Sequence, residues 1–165
     1  MFVTPFPYWH QLSISPSAPE EEVVKKALYQ LDLLLSQQIN PNDVAAILIE
    51  PVLGEGGYVP APPSYLNGLR ELCDKHGILL ILDEVQTGFG RTGKYFASEY
   101  SGVRPDIITI AKVLSPPVKS RVLHLTDLSQ GLANGFPLSG IISRTGITEK
   151  LKPGIMVLLC CHLSS

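Results

Sequence analysis

The sequence predicts an α/β fold in which a mostly parallel sheet is flanked by helices. Three short segments are predominantly apolar: residues 44–50, which end in Glu50, residues 78–82, which are apolar throughout, and residues 106–110, which begin with Asp106. Such strands are typical of sheets that are covered on both faces. Segments with helical periodicity lie between these strands, and this alternation favours parallel pairing. We therefore expect the carboxyl ends of the strands to lie at one edge of the sheet.

Two helices complete this pattern. Apolar residues recur at helical spacing over residues 19–38, and three consecutive glutamates in the first turn suit the positive end of the helix dipole. A second helix is predicted over residues 64–76. Ser64 would cap its N-terminus and Gly77 would end it, because serine accepts backbone hydrogen bonds and glycine adopts left-handed conformations.

Composition excludes several function classes. The chain has 165 residues, 45% of them hydrophobic and 17% charged, with a net charge of −2. This composition is globular, and it lacks the basic surplus that nucleic acids require of a partner. No apolar run reaches the length of roughly 18–20 residues that crosses a bilayer. Three cysteines and four histidines show no metal-ligand spacing, so we expect no metal site. From the charge and the apolar runs we expect no nucleic-acid partner and no membrane span. A reducing compartment is expected, with the cytoplasm first.

The glycine-rich stretch from Gly88 to Lys94 matches a dinucleotide fingerprint and nearly matches a phosphate-binding P-loop. Tyr95 stands where the P-loop needs serine or threonine. Five residues also separate the stretch from the strand that should open directly into it. A flexible glycine-rich loop is therefore the preferred interpretation, and nucleotide binding is the alternative.

Charged residues follow the predicted strands. Glu50, Asp83 and Lys112 each lie at a carboxyl end, the edge where open α/β sheets bind ligands. A carboxylate at this edge can keep a pyridine nitrogen protonated, and a lysine can form a Schiff base with an aldehyde cofactor. From spacing alone, an ion pair or two solvated charges explain Asp83 and Lys112 more simply.

Longer motifs add a family resemblance. The segments LILDEVQTGFGRTGKYFASE and PDIITIAK resemble the signature of class-III aminotransferases, which use pyridoxal 5'-phosphate. The segments AAILIEPVLGEGGY and GLANGFPLSGIISR are also similar to that family. The resemblance covers residues 2–112 and 131–156. It implies part of the large domain of the fold-type-I pyridoxal-phosphate transferase fold, truncated at both ends.

The resemblance also implies a function. Relatives of the 4-aminobutyrate, ornithine and alanine–glyoxylate types share these motifs, so the reaction would transfer an amino group from an amino acid to a 2-oxo acid. An omega-amino acid such as 4-aminobutyrate would be the donor, and the full-length enzyme would be a homodimer. The cytoplasm remains the expected compartment, as the cysteine pattern indicates. The mitochondrion is the alternative because the family pattern begins upstream of Met1.

Family roles transfer to matching positions. Asp83 would pair with the pyridine nitrogen of the cofactor, Val85 would pack on its ring face, and Gln86 would hydrogen-bond its 3-hydroxyl. Lys112 would form the Schiff base and then move the proton between substrate and cofactor. Glu55 resembles the gate glutamate that pairs with a substrate-site arginine. Glu50 resembles a supporting acid that can also take part in the substrate gate.

The sequence departs from the family in two places. Residues 1–156 represent a partial cofactor-binding large domain that is interrupted by an insertion, residues 113–130, and followed by a non-family tail, residues 157–165. Deleting the insertion restores AKGLANGFPLSG, so we hypothesise a retained intron, with a genuine loop as the alternative. The family's phosphate-binding loop and carboxylate-binding arginine have no counterpart here. We therefore expect this chain to be inactive and unstable alone, or at most a non-catalytic interaction module.

Overall fold

The computed structural model of the chain describes residues 1–111 and 139–149. Its strands are β1 (Ala46–Ile49), β2 (Val52–Leu53), β3 (Val59–Pro60), β4 (Leu79–Asp83), β5 (Ile107–Ile110) and β6 (Gly140–Ser143). Its helices are α1 (Glu20–Leu33), α2 (Pro63–His76) and the short α3 (Thr145–Thr148). Strands β1, β4, β5 and β6 form one sheet in that order, and β2 pairs with β3 in a separate hairpin.

The central sheet is mostly parallel, as predicted. Strand β4 pairs in parallel with both β1 and β5, whereas β6 joins the far edge antiparallel to β5. Ile49 lies opposite Leu82, and Asp83 lies opposite Thr109. The carboxyl ends of β1, β4 and β5 therefore meet at one edge, and this edge is the expected place for a ligand.

The helices differ from prediction at their ends. The α-helical part of α1 stops at Leu33 and is followed by a π-helical turn, Leu34–Gln38, where the sequence predicted one continuous helix. Helix α2 ends at Gly77, whose φ of 68° is left-handed, as predicted. The prediction that Ser64 caps α2 is wrong. The helix begins one residue earlier, so Ser64 lies inside the first turn, where its hydroxyl donates to Glu20 Oε1 at 3.2 Å.

One hydrophobic core lies between the sheet and the two long helices. Leu80 and Leu82 of β4 are completely buried and share this core with the inner faces of α1 and α2. The buried helix residues are Val24, Ala27, Leu31, Tyr65, Leu66, Leu69 and Cys73. Because side chains alternate along a strand, Leu79 and Ile81 face the other way.

The other face of the sheet is less covered than its apolar sequence predicts. Leu48, Ile81 and Ile107 lie side by side across three strands on this face. Leu48 is 62% exposed, and Ile81 and Ile107 are half-buried. Within the described residues, the helix layer formed by α1 and α2 therefore covers one face only.

Several predictions lie outside the described residues. They concern Lys112, the insertion at 113–130 and the tail at 157–165. In the part of the chain that is described, no helix is long and apolar enough to cross a membrane. Across residues 1–111 and 139–149, no cluster of three or more histidine, cysteine or acidic side chains could hold a metal ion.

Candidate active site

Asp83 is the last residue of β4, and its carboxylate is fixed by two neutral donors. Its Oδ1 accepts hydrogen bonds from Thr109 Oγ1 at 2.8 Å and from the Val85 backbone N–H at 3.0 Å. Thr109 reaches Asp83 because the two residues are register partners on adjacent parallel strands. Among the described residues, Oδ2 has no hydrogen-bond partner. The half-buried carboxylate is thus held in one orientation with one acceptor oxygen available.

Gln86 lies three residues beyond the end of β4 and contacts the hairpin β2–β3. Its Nε2 donates to the Tyr58 hydroxyl at 3.4 Å. A Cβ at position 54 would lie 2.3 Å from Gln86 Oε1, so a larger residue there would displace the Gln86 amide from this position. The amide of Gln86 is therefore positioned between Gly54 and Tyr58.

Glu50 follows β1 directly and belongs to the same contact chain. Its Oε2 accepts a hydrogen bond from the Gly54 backbone N–H at 2.9 Å. Gly54 thus lies against both Glu50 and Gln86. The structure brings these two predicted residues together at the carboxyl edge that also holds Asp83.

Glu55 is separate from this group. It lies in the turn between β2 and β3, where Gly57 and Tyr58 both have positive φ angles, and its side chain is exposed. Val85 is half-buried beside Asp83, as its predicted role requires. The structure therefore assembles Glu50, Asp83, Val85 and Gln86, whereas Glu55 lies at the tip of the hairpin.

Sequence analysis missed Glu84, the neighbour of Asp83. Its side chain is completely buried and accepts three hydrogen bonds, from Thr87 Oγ1 at 2.8 Å and from the backbone N–H groups of Ala97 and Ser98 at 2.7 and 2.9 Å. These donors satisfy an acid that would otherwise be costly to bury. The only signal in the sequence is a second acid directly after an apolar strand.

The glycine-rich stretch forms a loop beside these residues. Gly90 and Gly93 have positive φ angles, and the loop leads into a four-residue 3-10 helix, Ala97–Tyr100. Both nucleotide-binding motifs need a longer helix directly after their glycines. The geometry therefore disfavours nucleotide binding. A cavity of about 330 Å³ separates this loop from the hairpin and is lined by Val52, Gly54, Tyr58, Gln86, Thr87, Arg91 and Thr92.

Comparison with known proteins decides the family. Residues 3–117 match the family described as aminotransferase class-III. The chain belongs to the class-III aminotransferase family. This match includes Asp83, Val85 and Gln86, together with Lys112, and it confirms the resemblance noted from the motifs.

Individual class-III aminotransferases show how much of the family fold is present. The chain is 41% identical over 142 residues to the 5-aminovalerate aminotransferase DavT of Pseudomonas putida, covering 86% of this chain and 29% of that protein. It is also 41% identical over 128 residues to the 4-aminobutyrate aminotransferase GabT of Escherichia coli, covering 78% and 26%.

A solved relative shares the fold. The taurine:2-oxoglutarate aminotransferase from Bifidobacterium kashiwanohense, in complex with pyridoxal phosphate and glutamate, superimposes with a TM-score of 0.69 at 34% identity. The match covers 90% of this chain and 29% of that one. The fold is thus part of the fold of the pyridoxal-phosphate transaminases, and the chain spans less than a third of the length of these relatives.

The residues at the carboxyl edge fit the pyridine ring of the family's cofactor. Asp83 Oδ1 is satisfied by Thr109 and Val85, which leaves the charge of the carboxylate available through Oδ2 to a protonated ring nitrogen. Among the described residues, no lysine, arginine or histidine forms an ion pair with Asp83. The carboxylate of Asp83 therefore suits a cationic nitrogen heterocycle as its partner.

Proposed function

We propose that the protein is a pyridoxal-phosphate-dependent transaminase that transfers an amino group from an amino acid to a 2-oxo acid. The single observation that supports this most is the fixed carboxylate of Asp83 at the end of β4. Family membership supports the same reaction. The relatives are much longer, so we assign the activity to a chain of family length in which residues 1–156 supply the ring-binding part of the large domain.

Each of the residues at this edge would have a different role. Pyridoxal phosphate, when bound, supplies an electron sink for the substrate's amino carbon. Asp83 would keep the ring nitrogen protonated, and Val85 would pack against the ring face. Gln86 would orient the ring through its 3-hydroxyl. Lys112, two residues beyond β5 in sequence, would hold the cofactor and then move the proton to and from the substrate carbon.

We propose an omega-amino acid as the amino donor. The printed names of two relatives, a 5-aminovalerate and a 4-aminobutyrate aminotransferase, support this substrate class. Glu50 and Glu55 would form the substrate gate, with Glu50 fixed by Gly54 and the Glu55 side chain exposed at the hairpin tip.

We also propose a homodimer as the full-length form. We propose the cytoplasm as the compartment, with the mitochondrion as the alternative.

Covalent labelling tests the proposed function. The full-length enzyme is incubated with pyridoxal phosphate, reduced with borohydride and mapped by mass spectrometry. We expect label at Lys112, and we expect Lys112→Ala to lose it, because a positioned lysine reacts in preference to surface amines. Lys75→Ala, at the end of α2, is the matched control and should keep the label. Equal labelling of Lys75, Lys94 and Lys112 would contradict the assignment.

A second variant tests Asp83 in an active full-length enzyme. Asp83→Asn should retain the cofactor but slow turnover by about 10²-fold or more, because the ring nitrogen is no longer kept protonated. Asp74→Asn, an exposed acid on α2, should turn over normally. Normal turnover by Asp83→Asn would show that the role is misassigned.

A further inference from the structure

We propose that Glu84 is a positioning residue, which holds Gln86 in place by anchoring both ends of the loop that follows β4. This inference rests on the proposed function, because the ring contact of Gln86 belongs to it. The loop, residues 84–98, includes Gln86 and the whole glycine-rich stretch. Glu84 is completely buried and its carboxylate contacts only residues of the loop, so it would act through Gln86 and not on the reacting atoms.

The carboxylate of Glu84 joins distant parts of this loop. Its Oε2 accepts from Thr87 Oγ1 at the loop's start and from the Ala97 N–H at its end, at 2.8 and 2.7 Å. Its Oε1 accepts from the Ser98 N–H at 2.9 Å. The bonds from Ala97 and Ser98 join residues that are 13 and 14 positions away from Glu84 in sequence. The Glu84 side chain that accepts them is 0% exposed. One buried carboxylate therefore fixes both the first turn of the loop, after β4, and its last residues, at the start of the 3-10 helix.

The backbone of Glu84 is fixed as well. Its N–H donates to the Thr109 carbonyl at 3.1 Å, and its carbonyl accepts from the Gly88 N–H at 2.9 Å. A Cβ at Gly88 would lie 2.8 Å from the Glu84 carbonyl, so the turn is closed tightly. Gln86 lies inside this turn, between the anchored residues 84 and 87. Its side chain is aimed at Gly54 because the main chain on both sides of it is held.

The chemistry of the anchor favours a carboxylate. All three contacts are donors, and an ionised carboxylate only accepts, with enough lone pairs on its two oxygens for all of them. An amide would place its NH₂ group against a backbone N–H or a hydroxyl donor. Hydrogen bonds to a charged acceptor are also stronger than neutral ones, which suits a loop that must keep one conformation.

Removing one anchor bond gives the cleanest test, because Glu84 variants risk misfolding. Thr87→Val keeps the shape of a buried side chain but deletes its hydroxyl, and Thr87→Ser restores the hydroxyl. Thr4→Val is the matched control. The Thr4 hydroxyl is buried without a hydrogen-bond partner among the described residues, so its loss breaks no bond.

Two readouts separate positioning from stability. The first is the rate of tryptic cleavage after Arg91 and Lys94, which lie in the loop, measured without cofactor. We expect about tenfold faster cleavage in Thr87→Val, because loss of one charge-assisted hydrogen bond lowers the free energy of local opening. The second is the dissociation constant of pyridoxal phosphate. We expect it to rise about fivefold in Thr87→Val and to be restored in Thr87→Ser.

A double-mutant cycle identifies Gln86 as the residue through which the anchor acts. In a Gln86→Ala background, Thr87→Val should no longer weaken cofactor binding, because the positioned group is already gone. Additive effects of the two substitutions, or cleavage no faster than in Thr4→Val, would overturn the inference. These measurements use the full-length enzyme, and its failure to bind pyridoxal phosphate without any substitution would overturn the proposed function together with the inference. Normal binding that is unchanged by Thr87→Val would overturn the inference alone.

Discussion

Asp106 lies just before β5, at the amino end of the strand, and its carboxylate is 1% exposed. Its Oδ2 accepts from the Leu80 N–H at 2.7 Å and from Arg70 Nη1 at 2.8 Å, and its Oδ1 forms an ion pair with Arg144. One acid thus joins α2, β4 and the residue after β6. It lies at the edge opposite to Asp83, so its role is to hold the sheet together.

Asp106→Asn is expected to lower the free energy of unfolding by about 3 kcal/mol, because it removes the buried charge that Arg70, Arg144 and the Leu80 N–H all contact. Urea denaturation at pH 7 measures this change. Asp74→Asn is the matched control. The Asp74 carboxylate also pairs with Arg70, at 2.8 Å, but its side chain is 67% exposed. It should cost no more than about 0.5 kcal/mol. Similar losses in both variants would contradict the structural role of Asp106.

Sequence analysis placed Asp83 and Glu50 correctly at the carboxyl edge because position after a parallel strand is a local property. It did not identify Glu84 or Asp106, because burial of an acid depends on donors elsewhere. The donors to Glu84 come from up to 14 residues away, and those to Asp106 from 26 and 36 residues away. No local pattern encodes these distances. The roles assigned to the site residues all stay predictions: Glu50, Glu55, Asp83, Val85, Gln86 and Lys112.

Strand β4 shows the asymmetry of the sheet most clearly at the scale of elements. Leu80, on the helix-covered face, is 0% exposed, whereas Leu48 of β1, on the other face, is 62% exposed. Both residues belong to apolar strands, and the sequence predicted the same environment for both. The packing of α1 and α2 against only one face decides which leucines stabilise this chain.

Leu80→Ala should lower the free energy of unfolding by about 3 kcal/mol, because it leaves a cavity in a close-packed core. Leu48→Ala removes the same atoms from an exposed position and should cost less than about 0.5 kcal/mol. Urea denaturation of the two variants provides the comparison. A large loss in Leu48→Ala would show that its face is covered in solution.

Element positions were predicted better than element ends. The three parallel strands lie where apolar runs placed them and both long helices lie where helical periodicity placed them, whereas β6 was not predicted. The hairpin β2–β3 was not predicted, since two-residue strands have no measurable period. Ser64 was misassigned because Pro63 can start a helix without a side-chain cap, and the sequence alone does not show which residue is first.

At the scale of the whole molecule, two buried groups couple stability to pH. Burial raises the pKa of the Cys73 thiol to about 11 and that of the Tyr65 hydroxyl to about 12. A nearby arginine, Arg70, acts in the opposite direction on Cys73 but does not offset burial. Both groups lie in the core shared by α2 and the sheet. Each remains protonated in the folded chain at a pH where the unfolded chain has lost the proton.

The free energy of unfolding is therefore expected to fall in alkaline solution. Below about pH 9, the ordinary pKa of 9.0 keeps the Cys73 thiol protonated in both states. Between pH 9 and about 11 only the folded state keeps the proton, so stability declines by up to about 1.4 kcal/mol per pH unit. Tyr65 adds a second decline above its ordinary pKa of 10.0.

Urea denaturation from pH 8 to 10 measures the first decline. Cys73→Ala should lower stability below pH 9, because it leaves a small cavity, but should flatten the decline between pH 9 and 10. Parallel declines in both proteins would show that another group is responsible.

The contacts of Asp106 also affect the rate at which the folded chain unfolds. Contacts between residues 26 and 36 positions apart close large loops, so we expect them to form after the local helices and turns. Interactions that are absent from the folding transition state slow unfolding and leave the folding rate nearly unchanged. A chain without this carboxylate would assemble at almost the same speed, but each assembled molecule would survive for a shorter time before opening.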